Sequence, residues 1–145
     1  MKKILLEQIS QKKIQIYFEN NFDVLEEMFE RVNLIEYSIK LSLNAKHFCL
    51  FQQDEVVGFM AAYFNDVENK IAYISTVSIF PQFQGQGVGG EMLDKACCYA
   101  NKLGFKVVRL QVRKNNDGAL RFYINHGFSK VKTLEESYIY EKKIS

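Results

Sequence analysis

Apolar positions along the chain form short runs of two kinds, alternating and helix-periodic, separated by polar turns. Ile14-Gln15-Ile16-Tyr17-Phe18 is rich in β-branched and aromatic residues and reads as a first strand. Asn20 or Asn21 is placed to cap a helix over Phe22–Arg31, where Phe22, Leu25, Met28 and Phe29 recur at helical spacing. A second helix is expected over Ile35–Leu43. His47–Phe51 and Val56–Phe64 flank the polar turn Gln53-Asp54-Glu55 and read as a hairpin. After polar Asn65–Lys70 comes a third consecutive strand, Ile71–Ile79.

The loop Phe80–Gly87 leads into a helix from Val88 to Leu103, ended by Gly104. Its expected apolar face is Val88, Met92, Leu93, Ala96, Ala100 and Leu103, with Glu91, Asp94, Lys95 and Lys102 toward solvent. Val107–Val112 is the next strand. Asn115-Asn116-Asp117 makes a turn and cap before a short helix, Gly118–His126, which Gly127 stops. Strands near Phe128–Lys132 and Ser137–Lys142 close the series. Hairpins together with a crossover helix imply an α/β (α+β mixed) class: a mostly antiparallel mixed sheet of about seven strands flanked by about four helices.

The 145 residues fit one domain, 1–145, with a core that needs no disulfide or metal. The composition, 48% hydrophobic with 12 Phe and 8 Tyr, is that of a globular chain. A formal net charge of +2, with acids and bases interspersed, gives no reason to expect a nucleic-acid partner. No apolar run approaches the ~20 residues that span a bilayer. Glu7, Gln8 and Ser10 cut the apolar start at Ile4 too short for a secretory signal, so an ordinary N-terminal segment is expected. Cys49, Cys97 and Cys98 are odd in number and lack metal-ligand spacing. They read as reduced, packed thiols of a cytoplasmic protein, with no metal.

The stretch Gln84-Gly85-Gln86-Gly87-Val88-Gly89-Gly90 carries the chemistry. A glycine-dense loop between a strand and a helix lets main-chain N–H groups approach an anion at the positive end of the helix dipole. Gly85 to Gly90 matches the dinucleotide pattern G-x-G-x-x-G, which alone is weak. A dinucleotide site needs an acid on the next strand to hold the ribose, and Lys106-Val107-Val108-Arg109-Leu110 has none. A Walker loop fails too, because no Gly-Lys-Ser/Thr follows. A purely structural turn stays open on the loop alone.

Two motifs together resemble the GCN5-related N-acetyltransferase (GNAT) superfamily. Gln84-Gly85-Gln86-Gly87-Val88-Gly89 fits its Q/R-x-x-G-x-G/A signature after the hydrophobic-x-Pro of Ile79-Phe80-Pro81. Asn116 to Phe128 fits its N-x-x-A-x-x-x-Y-x-x-x-G-F pattern through Asn116, Ala119, Tyr123, Gly127 and Phe128. The detailed likeness covers about Ala72 to Val131; the first half agrees only in layout. The resemblance implies an acyl-CoA N-acyltransferase fold and acetyl-CoA as co-substrate. Its pyrophosphate would lie on the N–H groups of Gly85, Gln86, Gly87, Val88, Gly89 and Gly90, and its pantetheine would pair with main chain near Val77, Ser78 and Ile79. By the same resemblance Asn116 binds the cofactor arm, an N–H near Ile79 polarises the thioester carbonyl, and Tyr123 is the general acid.

The expected reaction is direct acetyl transfer to a primary amine, with a small molecule such as an amino sugar, amino acid or polyamine preferred as acceptor. A protein N-terminus or lysine and a non-catalytic acyl-CoA-binding module are the alternatives. Tyr17, Phe18, Phe22, Tyr37, Tyr63, Phe64, Tyr138 and Tyr140 are available to line an acceptor pocket or to fill the core. Some family members carry a basic glutamate on the strand before the glycine loop; Ile71–Ile79 has no carboxylate. Asp66, Glu68, Tyr73, Ser75 and Thr76 lie nearby but suit turn and core roles better, so no base is assigned. A monomer or homodimer without membrane or nucleic-acid partners is expected.

Overall fold

The computed structural model describes residues 3–21 and 33–144. Among them run β1 (Lys3–Leu6), α1 (Gln11–Asn20), α2 (Leu34–Asn44), β2 (Lys46–Gln52), β3 (Glu55–Asp66) and β4 (Ile71–Ile79). A 3-10 turn, Pro81–Phe83, precedes α3 (Val88–Lys102), β5 (Val107–Arg113), α4 (Asp117–Asn125), β6 (Ser129–Thr133) and β7 (Ser137–Lys143). The seven strands form one mixed sheet in the order β1-β2-β3-β4-β5-β7-β6. β1 pairs antiparallel with β2, and β7 antiparallel with both β5 and β6. β4 pairs parallel with β5, Ile71–Tyr73 against Val107–Arg109.

The class, the strand count and most element boundaries agree with the hydrophobic pattern. The expected strand over Ile14–Phe18 is instead helix α1. Ser10 caps it, its hydroxyl accepting from the Lys13 N–H at 3.1 Å. Ile14, Tyr17 and Phe18, at helical spacing, are buried, while Ile16 is 44% exposed. A strand would have put Ile14 and Ile16 on one face; helical burial of a larger aromatic pair prevails. The first strand is β1, in the segment expected to be an ordinary terminus. The helix expected over Phe22–Arg31 lies outside the described residues. Asn21 ends α1 as its C-cap. Leu103, assigned to the apolar face of α3, falls beyond the helix and is 48% exposed.

The chain divides into two compact units, 1–61 with 76–92 and 62–75 with 93–145. In the first, the Gln53-Asp54 turn takes φ of 50° and 69° at its two residues, which closes a tight hairpin between β2 and β3. β3 then runs buried from Val56 to Ala62. Its Phe59 meets Tyr17 (5.6 Å), Phe18 (6.0 Å) and His47 (5.6 Å) between ring centroids. Phe18 also stacks on Tyr37. In the second unit Phe64 packs edge-on against Tyr99 and Phe105. Tyr140 is buried and Tyr138 lies under the Lys130 ammonium, 4.6 Å from its ring centre. Of the aromatics open to either role, Tyr17, Phe18 and Tyr140 are core, Tyr37, Tyr63, Phe64 and Tyr138 are half-buried, and Phe22 lies outside the described residues.

His47 is fully buried and ties the first unit together. Its Nδ1 accepts from the Ile9 N–H at 3.0 Å, so its Nε2 carries the proton and donates to the Leu41 carbonyl at 2.9 Å. Burial holds the imidazole below its ordinary value of 6.5. Above that value both folded and unfolded chains carry neutral His47. Below it the unfolded chain takes up the proton first, so stability falls with pH. Thermal unfolding between pH 8 and pH 5 is expected to show this loss. His47→Leu should remove this acid slope and cost about 2–3 kcal/mol, because the Ile9 N–H and Leu41 carbonyl lose their partner.

Candidate active site

The end of β4 and the start of α3 belong to the first unit. Phe80 N–H donates to the Val57 carbonyl at 2.9 Å, anchoring the chain as it leaves the strand. Pro81 opens the 3-10 turn, where its missing N–H is not needed, and Phe83 is buried beneath it. The Gln84 side chain reaches back to donate to the Ile79 carbonyl at 3.0 Å. Gly85 and Gly87 take φ of 77° and 79°, in the left-handed region that disfavours any Cβ. A Cβ built at either position meets nothing within 4 Å. Glycine is thus required by the backbone turn, and the space over the loop is open to a close-fitting ligand.

The Glu91 N–H to Gly87 carbonyl bond (3.1 Å) opens the α3 ladder. The N–H groups of Val88, Gly89 and Gly90 precede it and point from the positive end of the helix dipole. Gln84 to Gly87 are exposed and Val88 is buried. No lysine or arginine occurs from Val77 to Gly90, so the loop's own donors to an anion are neutral, its main-chain N–H groups and its glutamine amides. Val77, Ser78, Ile79, Gln84, Gly85, Gln86, Gly87, Val88, Gly89 and Gly90 thus form one continuous stretch of the first unit.

Asn116 and Tyr123 are in the second unit, at the two ends of one short helix. Asn116 is the N-cap of α4, its Oδ1 accepting from the Ala119 N–H at 3.1 Å. Gly127 (φ 92°) reverses the chain after α4, and Phe128 N–H closes onto the Tyr123 carbonyl at 3.0 Å. The Tyr123 ring is half-buried between Phe122 (5.2 Å) and Phe128 (5.7 Å). Burial pushes its phenol up to about 12. The hydroxyl therefore stays protonated at any working pH.

The remaining polar candidates lie along β4 or in the turn before it. Asp66 accepts from the Asn69 N–H at 3.1 Å and from its side chain, which closes the turn before β4. Thr76 is buried. Glu68 is exposed. Burial raises the Tyr73 phenol while Arg109 opposes the rise. Burial pushes the Cys49 thiol up to about 12 and also raises Cys97, the opposite of an activated nucleophile. Cys98 is exposed rather than packed as expected. Among the described residues no group of three or more His, Cys, Asp or Glu side chains is placed to hold a metal.

One constellation was not visible in the sequence. Cross-strand register sets Arg109 of β5 opposite Glu141 of β7, with Nε to Oε2 at 2.6 Å. The pair lines a cavity of about 560 Å³ with Val131, Lys132, Leu134 and Ile139. The two residues are 32 positions apart in the chain, and only strand pairing brings them together.

The family model for the acetyltransferase (GNAT) family matches residues 11–128. The chain belongs to the GNAT family. Over 83 residues it is 35% identical to an uncharacterized N-acetyltransferase of Methanocaldococcus jannaschii; the match covers 54% of this chain and 37% of that relative. The chain thus spans well under two thirds of that protein's length. Its fold is shared by Ard1 of Thermoplasma volcanium (TM-score 0.81, 21% identity, 99% of this chain and 98% of that one). It is also shared by the PaiA N-acetyltransferase of Thermoplasma acidophilum, crystallised with coenzyme A (TM-score 0.75, 19% identity, 97% and 99% covered). Among the described residues, no helix of this GNAT member is long and apolar enough to cross a membrane.

The glycine loop yields a direct test of backbone strain. Gly85→Ala should cost about 1–2 kcal/mol of folding stability through its left-handed φ alone. Gly104→Ala, at φ 83° with equally open space, should cost the same. Paired urea unfolding curves with unchanged slope check this equality.

Proposed function

We propose that this chain transfers the acetyl group of acetyl-CoA directly to the primary amine of a small molecule. The observation that carries this reading is the glycine loop: two left-handed glycines, open space over them, and the N-terminus of a 15-residue helix behind. Gly85 to Gly90 would receive the pyrophosphate on main-chain N–H groups, and Val77 to Ile79 the pantetheine amides. Asn116 would hold the cofactor arm with hydrogen-bonding capacity beyond its cap.

Attack by the neutral amine forms the new C–N bond as the C–S bond breaks. The nitrogen gives up a proton and the sulfur gains one, leaving an amide and a thiol. The Ile79 N–H would stabilise charge developing on the thioester oxygen. Tyr123 would donate to the departing sulfur. A phenol pushed up to about 12 is less acidic than a thiol, so its hydrogen bond tightens only as negative charge builds on sulfur.

A net charge of only +2 exerts no pull toward a polyanionic acceptor, which leaves a small amine as the preferred one.

Thiol release from acetyl-CoA against a panel of amines, amino acids and short peptides tests the reaction. Release with small amines supports the proposal. Release only with peptides moves the acceptor to protein N-termini or lysines, and binding without release with any amine identifies a non-catalytic module. Tyr123→Phe should lower kcat about 100-fold and leave acetyl-CoA affinity within about twofold. Because the phenol titrates only near 12, kcat should rise from pH 7 to pH 9 as the acceptor loses its proton, with no decline from Tyr123 below pH 10. Gly85→Ala should weaken acetyl-CoA binding at least tenfold, and Gly104→Ala should not.

A further inference from the structure

Tyr17 is 2% exposed and lies on α1, 61 positions before its hydrogen-bond partner. Its hydroxyl donates to the main-chain carbonyl of Ser78 at 3.0 Å and sits 2.8 Å from the Ser78 Oγ. With one proton on each hydroxyl, a single arrangement satisfies both contacts: the Ser78 Oγ–H donates to Tyr17, and Tyr17 donates to the Ser78 carbonyl. The Tyr17 ring is clamped, stacked on Phe80 at 5.3 Å and 14° and tilted on Phe59 at 5.6 Å. The chain on either side is also held. Phe80 N–H bonds Val57, and the Ile79 carbonyl accepts from Gln84.

The peptide group joining Ser78 to Ile79 is planar and trans, so the Ile79 N–H points opposite to the Ser78 carbonyl. A hydrogen bond donated to a peptide carbonyl draws electron density toward its oxygen and makes the N–H of the same peptide a stronger donor. The serine hydroxyl feeding the tyrosine strengthens this chain of bonds further.

We propose that Tyr17 is a positioning residue that orients and polarises the Ser78–Ile79 peptide so that the Ile79 N–H is a fixed, strengthened donor to the thioester carbonyl. This rests on the acetyl-transfer reading above and adds to it a residue on α1 that never touches the substrate. Burial raises the Tyr17 phenol, which keeps this donor protonated throughout the working pH range. Core packing alone would need the ring but not the hydroxyl, so removing only the hydroxyl separates the two roles.

The test uses Tyr17→Phe, which retains the ring against Phe59 and Phe80. The expected result is a kcat about tenfold lower, with the KM for acetyl-CoA within about twofold. The Ile79 amide proton should move upfield in the NMR spectrum of the free protein. The carbonyl carbon of bound 13C-labelled acetyl-CoA should shift toward its value in free acetyl-CoA. Ser78→Ala, which removes only the feeding hydroxyl, should give changes of the same sign and smaller size, and it serves alone if Tyr17→Phe does not fold. Unchanged Ile79 and carbonyl signals in folded variants that still bind acetyl-CoA would overturn the role of Tyr17 and leave the acetyl-transfer reading standing. Failure of the unmodified protein to bind acetyl-CoA would overturn both.

Discussion

The passage from β4 into α3 depends on two left-handed residues. At φ of 77° and 79°, Gly85 and Gly87 turn the chain sharply enough for the α3 ladder to begin with Glu91 donating to Gly87. Any residue with a Cβ would strain that turn. Placement of the α3 N-terminus follows from it, and so does the position of the N–H groups that precede the ladder. The turn also fixes which side chains of α3 are buried. Val88 starts the helix at the core, and Met92, Leu93, Ala96 and Ala100 follow at helical intervals, all at or below 9% exposure. One backbone requirement therefore serves both the packing of the longest described helix and the loop proposed to receive the pyrophosphate.

Main chain and side chain divide their tasks along β4. Side chains alternate strictly between buried and half-buried, with Ala72, Ile74, Thr76 and Ser78 inside. Two of these inward residues are hydroxylated, an unusual choice for a core strand. For Ser78 the reason is visible: its hydroxyl and carbonyl both meet Tyr17. At Ser78 the inward polar group ties the end of the strand to α1 where the ladder gives way to the loop.

The hydrophobic pattern made most of this fold legible. Gln53-Asp54 between two apolar runs marked the hairpin, Gly104 and Gly127 marked helix ends, and the apolar face of α3 was correct up to Ala100. These signals are local, and the structure uses them locally. Ile14–Phe18 was misread because a five-residue run of β-branched and aromatic residues satisfies both periods. The deciding information was Ser10, a cap four residues upstream, together with the aromatic partners that Tyr17 and Phe18 find on β3. The candidate site divides in the same way. The glycine loop and the Asn116–Tyr123 pattern are each local in sequence, so spacing alone can nominate them. The Arg109–Glu141 pair and the Tyr17–Ser78 bond are products of register and packing, which residue spacing does not encode.

Chemistry at a neutral loop has a consequence for how the donor is held. With Gln84 in place of a cation and no lysine or arginine from Val77 to Gly90, the loop offers dipoles rather than charge. Dipoles fixed by the backbone lose little on binding, since they are already oriented. In the proposed reaction the same principle would extend to Ile79: a donor held by bonds on both flanking carbonyls would need no reorganisation as charge develops on the thioester oxygen. In the proposed reaction Tyr123 would supply the complementary behaviour on the leaving side, a donor whose raised phenol withholds its proton until the sulfur demands it. An active site of that composition would gain its rate from preorganisation rather than from strong acids or bases. The ionisation of the acceptor amine would then be the main source of pH dependence.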